Sequence, residues 1–165
     1  MKILMVCLGN ICRSPMAEGI LKSKILARGV DWTVDSAGTE SFHVHEPPHP
    51  FAVKTAALHG IDISMLRARK FTPGDFQHFD RIYALATDVY GEISHIGGAA
   101  SPMDKVELLL NELYPGRNRS VPDPWNGPLH GFQEVFDLLE KACEMVMVRY
   151  ADQAASFASI PRTKS

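Results

Sequence analysis

Two residues with chemistry to offer, Cys7 and Arg13, stand five residues apart in the stretch CLGNICR, with Ser14-Pro15 directly behind. They follow a short apolar run, Ile3 to Val6, and precede a helical pattern. A loop between strand and helix can turn its backbone N–H groups inward as a nest, and the helix N-terminus adds partial positive charge. Gly9 is expected to let this loop turn and come close to a ligand. Arg13 brings a planar fork of donors that matches phosphate oxygens. The same field lowers a thiol pKa, so Cys7 is expected to be a thiolate at neutral pH and a nucleophile aimed at phosphorus. Spacing alone is equally consistent with a buried strand-end cysteine and a surface arginine.

Such a nucleophile needs an acid for the departing oxygen. Asp123 lies between Pro122 and Pro124, which restrict its backbone and aim its side chain. Read alone, it is also an ordinary turn residue. Trp125 follows as an aromatic wall for a phosphotyrosine ring, core packing being the competing role. Leu8 and Ile11 are expected at the mouth of the pocket, with Phe42 contributing to its wall.

The elements that must hold these residues are legible as a pattern. Ile3 to Val6 reads as a strand buried on both faces. Ser14 is expected to cap the next helix with Pro15 in its first turn, and Met16, Ala17, Ile20, Leu21 and Ile25 recur at helical spacing up to Gly29. Trp32 to Ser36 alternates as a second strand. Phe51 to His59 reads as a helix closed by Gly60, Asp75 to His78 as a helical turn, Arg81 to Leu85 as a third strand and Val89 to Ile96 as a helix. Lys105 to Leu110 is assigned as a fourth strand. A last helix runs from about His130 to Asp152, its apolar face formed by Phe132, Val135, Phe136, Leu139, Cys143, Val146, Met147 and Tyr150. Strands alternating with helices predict a single α/β domain, doubly wound and flavodoxin-like: a four-stranded parallel sheet with helices on both faces. In such folds the site lies at the carboxyl ends of the strands, where Cys7 falls. The domain is expected over residues 1–155, with a flexible tail over 156–165.

Composition narrows the partners. The chain has 165 residues, 45% hydrophobic and 22% charged, with a net charge of −2. That charge gives no general attraction for nucleic acid or an anionic membrane, so an anion must be gripped locally. The apolar start is too short for a signal peptide, and no stretch reaches the length of a membrane span. Cys7, Cys12 and Cys143 make neither a disulfide framework nor paired metal-ligand spacing, which points to a reducing cytoplasm. Cys143 falls on an apolar helix face and reads as packing. Cys12 either fills the loop or forms a protective disulfide with Cys7 under oxidation. His43, His45 and His49 lack a compact ligand set, and Arg67, Arg69 and Lys70 read as a solvated basic face.

Cys7-Leu8-Gly9-Asn10-Ile11-Cys12-Arg13-Ser14-Pro15 resembles the signature of the low-molecular-weight protein-tyrosine phosphatases. Asp123-Pro124-Trp125 matches the family's Asp-Pro-aromatic motif, and Asp35-Ser36-Ala37-Gly38-Thr39 matches a third stretch. The resemblance runs from Lys2 to about Tyr150. It implies hydrolysis of protein phosphotyrosine through a phosphocysteine, with Cys7 as nucleophile, Arg13 as phosphate clamp and Asp123 as acid and then base. It also implies that Ser14 bonds to the thiolate and that Asn10 braces the loop, with Ser36 as its partner. Neither metal nor cofactor is required by this chemistry, and a monomer or weak dimer is expected.

The chain departs from the family in places. Met65 and Leu66 occupy a stretch where members usually carry a histidine bonded into the site. Leu85-Ala86 stands where many have Met-Asp, and His49-Pro50-Phe51 replaces an Asp-Pro-Arg type of sequence. Trp125-Asn126 replaces the paired tyrosines of eukaryotic members. Three rival functions share parts of this pattern. Arsenate reductase needs additional cysteines after the third strand, and residues 86–102 contain none. A protein-arginine phosphatase carries threonine where Ile11 stands, and the bulk of Ile11 favours a flat aromatic ester. A silent phosphate-binding module would need neither nucleophile nor acid.

Overall fold

A computed structural model describes residues 1–158, the side chain of Phe157 excepted. Four strands form one parallel sheet in the order β2-β1-β3-β4. They are β1 (Lys2–Cys7), β2 (Thr33–Gly38), β3 (Arg81–Ala84) and β4 (Val106–Leu108). The helices are α1 (Arg13–Arg28), α2 (Pro50–Leu58), the single turn α3 (Asp75–His78), α4 (Thr87–Gly97), α5 (Leu129–Met147) and α6 (Gln153–Ala158). The α/β doubly wound architecture anticipated from the sequence is the one found.

Strand alternation divides the apolar residues into two cores. Ile3, Met5 and Cys7 face one side with Ile20 and Leu21 of α1 and Phe132, Val135, Phe136 and Leu139 of α5. Leu4 and Val6 face the other with Phe76, Val89 and Ile93, from α3 and α4. Because β1 is central and covered on both faces, its run from Ile3 to Val6 has no polar alternation to show. The register places Cys7 opposite Gly38, so the ends of β1 and β2 meet at one edge of the sheet.

Several boundaries differ from the sequence expectation. The helix α1 starts at Arg13 with Cys12 at its N-cap and no side-chain cap, so Ser14 is inside the first turn and does not cap it. The Ser14 hydroxyl is drawn instead to Cys7. Gly29 ends α1 as expected, in the left-handed conformation with φ 64°. The fourth strand is three residues long, flanked by 3₁₀ turns at Met103–Lys105 and Leu109–Asn111. The last long helix closes at Met147 and continues as a π-helical turn, Val148–Asp152. Cys143 is fully buried in the core, as its face predicted. Of the tail expected to be flexible, 156–158 complete α6 and 159–165 lie outside the described residues.

Candidate active site

The loop after β1 is held from outside by its carbonyls. Thr39 N–H donates to the Cys7 carbonyl at 3.0 Å, Glu40 N–H to Leu8 at 2.9 Å and His49 N–H to Ile11 at 2.8 Å. A trans peptide points its N–H opposite to its C=O. The N–H groups of Leu8, Gly9 and Cys12, on those same planes, therefore face the concave side, as an anion-binding nest requires.

The tight turn belongs to Asn10, not Gly9. Asn10 has φ 58°, a left-handed conformation that asparagine tolerates, whereas Gly9 has no positive φ. Gly9 matters for space, because a Cβ there would lie 3.1 Å from His43 Cδ2. Gly38 matters more. A Cβ on it would meet Leu8 O at 2.7 Å, Gly9 C at 3.0 Å and Asn10 N at 3.1 Å. Its φ is not left-handed, so the glycine serves close backbone approach rather than a turn.

Asn10 is buried and its amide is used in three directions. Nδ2 donates to Ser14 Oγ at 2.8 Å and to Ser36 Oγ at 2.9 Å, while Oδ1 accepts from the Arg69 main-chain N–H at 3.0 Å. Ser14 Oγ lies 2.9 Å from Cys7 Sγ. Since Ser14 accepts from Asn10, its own hydrogen is free to be donated to the sulfur. The bracing roles implied for Asn10, Ser14 and Ser36 thus have matching geometry. Arg69 is not part of a solvated basic face. It bonds Asp35 at 3.0 Å and both oxygens of Asp75 at 3.1 Å, while Arg67 stays exposed against the Ser64 and Leu66 carbonyls.

Arg13 connects the loop after β1 to the loop carrying Asp123. Its guanidinium is buried, donates to the Val121 carbonyl at 3.0 Å and lies 3.7 Å from Asp123 Oδ2. Val121 is itself tied to the end of β3 through its N–H and the Leu85 carbonyl at 2.7 Å. Asp123 Oδ1 accepts the Trp125 N–H at 3.1 Å, a local turn that orients the carboxylate. Cys7, Leu8, Gly9, Ile11, Cys12 and Arg13 line one cavity of about 190 Å³. Phe42, His43, Asp123 and Trp125 complete its wall. Trp125 is 49% exposed, which assigns it to the wall and not to the core. Phe42 stands outermost, 79% exposed.

Cys7 and Cys12 are both free thiols. Burial pushes the Cys12 thiol far up, with Cys7 and Asp123 adding to the rise and Arg13 opposing it. Cys12 therefore packs as a neutral group beside Cys7.

The histidines take unexpected places. His43, considered only as a metal ligand in the sequence, pairs with Glu46 at 2.7 Å and lines the pocket. Among the described residues no group of His, Cys, Asp and Glu is arranged to hold a metal ion. His49 Nδ1 accepts the Phe51 N–H at 3.0 Å and so caps α2, the work an aspartate would do there. Burial lowers the His49 pKa, which favours the neutral acceptor form. Leu66 packs against the core, and Leu85 and Ala86 are buried. His43, Arg69 and the Val121 carbonyl were missed because nothing in their local sequence marks them; each is recruited from far along the chain.

A family model described as low molecular weight phosphotyrosine protein phosphatase matches residues 2–156. A Synechocystis relative named for the same family is 41% identical over 145 residues, 87% of this chain and 92% of its own. The crystal structure of YfkJ from Bacillus subtilis superposes with a TM-score of 0.85 at 30% identity, covering 93% of this chain and 96% of that one. A Drosophila protein titled arginine phosphatase superposes with a TM-score of 0.84 at 32% identity, over 92% of this chain and 98% of that one. With its fold, its loop after β1 and the match over residues 2–156 in agreement, the chain belongs to the low molecular weight phosphotyrosine protein phosphatase family.

Proposed function

We propose that this chain is a protein-tyrosine phosphatase working through a phosphocysteine. The observation that carries the reading is the convergence of Cys7, Arg13 and Asp123, from two loops more than a hundred residues apart, on one aromatic-walled cavity. The phosphoryl group sits in the nest with its oxygens on the loop N–H groups and the Arg13 fork. The Cys7 thiolate attacks phosphorus and forms the S–P bond as the P–O bond to the ring breaks. Asp123, protonated, gives its proton to the leaving phenolic oxygen. As a carboxylate it then takes a proton from water, whose oxygen bonds to phosphorus while the S–P bond breaks, releasing inorganic phosphate and the thiolate.

Ile11 and Trp125 favour a flat aromatic ester in the cavity, with Leu8 and Phe42 at its mouth. That supports phosphotyrosine over phosphoarginine, even though a named arginine phosphatase shares the fold. The phosphatase domain is assigned to residues 1–155, acting on phosphoprotein substrates as a monomer or weak dimer. No described helix is long and apolar enough to cross a membrane; with the absence of a disulfide framework this supports a cytoplasmic site of action.

The test is release of phosphate from a phosphotyrosine peptide by the wild type, Cys7→Ser and Asp123→Ala, with phosphoarginine and arsenate as controls. Cys7→Ser should be inactive, and Asp123→Ala should lose about 10²- to 10⁴-fold in rate, the size expected for a general acid. Equal activity in wild type and Cys7→Ser refutes the mechanism. Faster turnover of phosphoarginine keeps the mechanism and overturns the substrate.

A further inference from the structure

One polar side chain on the cavity wall has no task in the chemistry above. Cys7, Arg13 and Asp123 serve the phosphoryl group and its leaving oxygen, whereas His43 shares their cavity unused. Its side chain is 28% exposed against 6% for Arg13, so it stands at the rim and not on the floor. The ring edge carrying Cδ2 and Nε2 lies over Gly9, where a Cβ would come within 3.1 Å and 3.9 Å of them. On the other side Nδ1 is 2.7 Å from Glu46 Oε2. A carboxylate can only accept, so Nδ1 carries the hydrogen. Among the described residues Nε2 makes no hydrogen bond.

The turn that presents His43 is held to one position. Glu46 N–H donates to the His43 carbonyl at 2.9 Å and closes it, and His45 inside it has φ 72°. That left-handed conformation is unfavourable for a residue with a side chain and persists only where neighbours enforce it. Here they do. His45 N–H donates to the Ala68 carbonyl at 2.8 Å, and Ala68 N–H to the Glu46 carbonyl at 2.9 Å. His49 N–H then ties the end of the segment to the Ile11 carbonyl. The side chains at the two ends of the turn, His43 and Glu46, are thereby brought together, and the imidazole is fixed against the loop after β1.

A phosphoryl group takes the floor of the cavity and an aromatic ring takes Ile11 and Trp125. What reaches the rim is the substrate chain on either side of the phosphotyrosine. We propose that His43, held by Glu46, is a specificity-determining residue that selects an acidic side chain next to the phosphotyrosine by donating Nε2–H to its carboxylate. A ring set between two carboxylates keeps both protons, one donated to each. At a distance Glu46 cancels the charge of the ring, so the pair exerts no general pull on acidic proteins. It favours only a carboxylate in contact with Nε2, through a charge-assisted hydrogen bond. The other charged groups on the cavity, Arg13 and Asp123, lie 3.7 Å apart and are taken up by the phosphoryl group and the leaving oxygen. An amide in place of the substrate carboxylate makes a weaker bond, and an ammonium has no acceptor to offer.

The inference rests on the phosphatase reading for its kinetic arm. Phosphotyrosine peptides that differ only in carrying Glu, Gln or Lys on both sides of the phosphotyrosine are compared within each protein. The buffer is mildly acidic, where an imidazole carries both protons. The wild type should show kcat/KM on the order of tenfold higher for the Glu peptide than for the Gln peptide, the size of one charge-assisted hydrogen bond. The gain should lie in KM, with kcat shared, and the Lys peptide should be the poorest. In His43→Gln the Glu-to-Gln ratio should fall to about one, since the donor is gone. A ratio taken within one protein is not disturbed by a general loss of activity. Equal kcat/KM for the two peptides in the wild type, or a ratio that survives in His43→Gln, overturns the proposal. The second arm needs no turnover: Cys7→Ser with labelled histidine is titrated with the same peptides and followed by calorimetry and NMR. The Glu peptide should bind about tenfold more tightly than the Gln peptide and move the His43 Nε2 resonance further. Equal affinities, or no binding, overturn the proposal even if His43→Gln does not fold. Absence of turnover with every peptide would reject the phosphatase reading and leave the binding ratio to decide this one.

Discussion

Two polar regions touch α1, one at each end, and they are built on opposite terms. At its start, Asn10, Ser14, Ser36 and Arg13 are buried, and neutral hydrogen bonds dominate. At its end, Arg28 reaches Glu144 and Asp152 on the surface, with carboxylates 42% and 48% exposed. Water can replace any partner in the second region, so its ion pairs contribute little. In the first region the side chains are buried, and each lost partner leaves a buried polar group unmet. Geometry is therefore enforced where the chemistry is, and merely decorated where it is not.

The strongest way to test that contrast is Gly38→Ala. The added Cβ meets three backbone atoms of the loop after β1, none of which can rotate away. A stability loss of about 2 kcal/mol is expected from overpacking, with kcat/KM down on the order of 100-fold because the loop is displaced. Thermal melting and steady-state kinetics check both; an unchanged rate would show that the close approach is not needed. Next comes Asn10→Ala, which strands the Ser36 hydroxyl and the Arg69 N–H and leaves alanine at φ 58°. It should cost about 2 kcal/mol, the size of an unmet buried group, measured by denaturant unfolding. Asn10→Gly, relieved of the backbone strain, should be less destabilised and equally slow, since the brace is still gone. The smallest effect is expected for Arg28→Ala: less than about 1 kcal/mol, shrinking further in high salt, with kcat/KM unchanged. A loss of activity there would break the division between the two regions.

How much of this could be read beforehand depends on how local the cause is. β1 was legible because a strand covered on both faces must be apolar throughout, and α5 because its buried face repeats at helical spacing. Ser14 was misplaced as a cap because the capping preference of serine is a local tendency, and a nearby sulfur competed for the same hydroxyl. Gly9 and Asn10 exchanged roles for a related reason: either residue can turn a loop, and only the contact with His43 shows why position 9 has no side chain. Arg69 looked like part of a solvated run until β2 and α3 brought Asp35 and Asp75 to it. Phe42 and Trp125 were placed on the wall, but their exposure is set by how the two loops pack.

By itself, the order of residues determined that a cysteine would end a buried strand, that an arginine would enter the following helix, and that an aspartate would be stiffened between prolines. These are consequences of backbone sterics, side-chain type and burial within short windows. Only the tertiary structure decided that Asp123 faces Arg13, that Gly38 lies against the loop, and that Arg69 reaches both Asp35 and Asp75. Those outcomes depend on how strands pair and which groups lose water together, and no local preference encodes either.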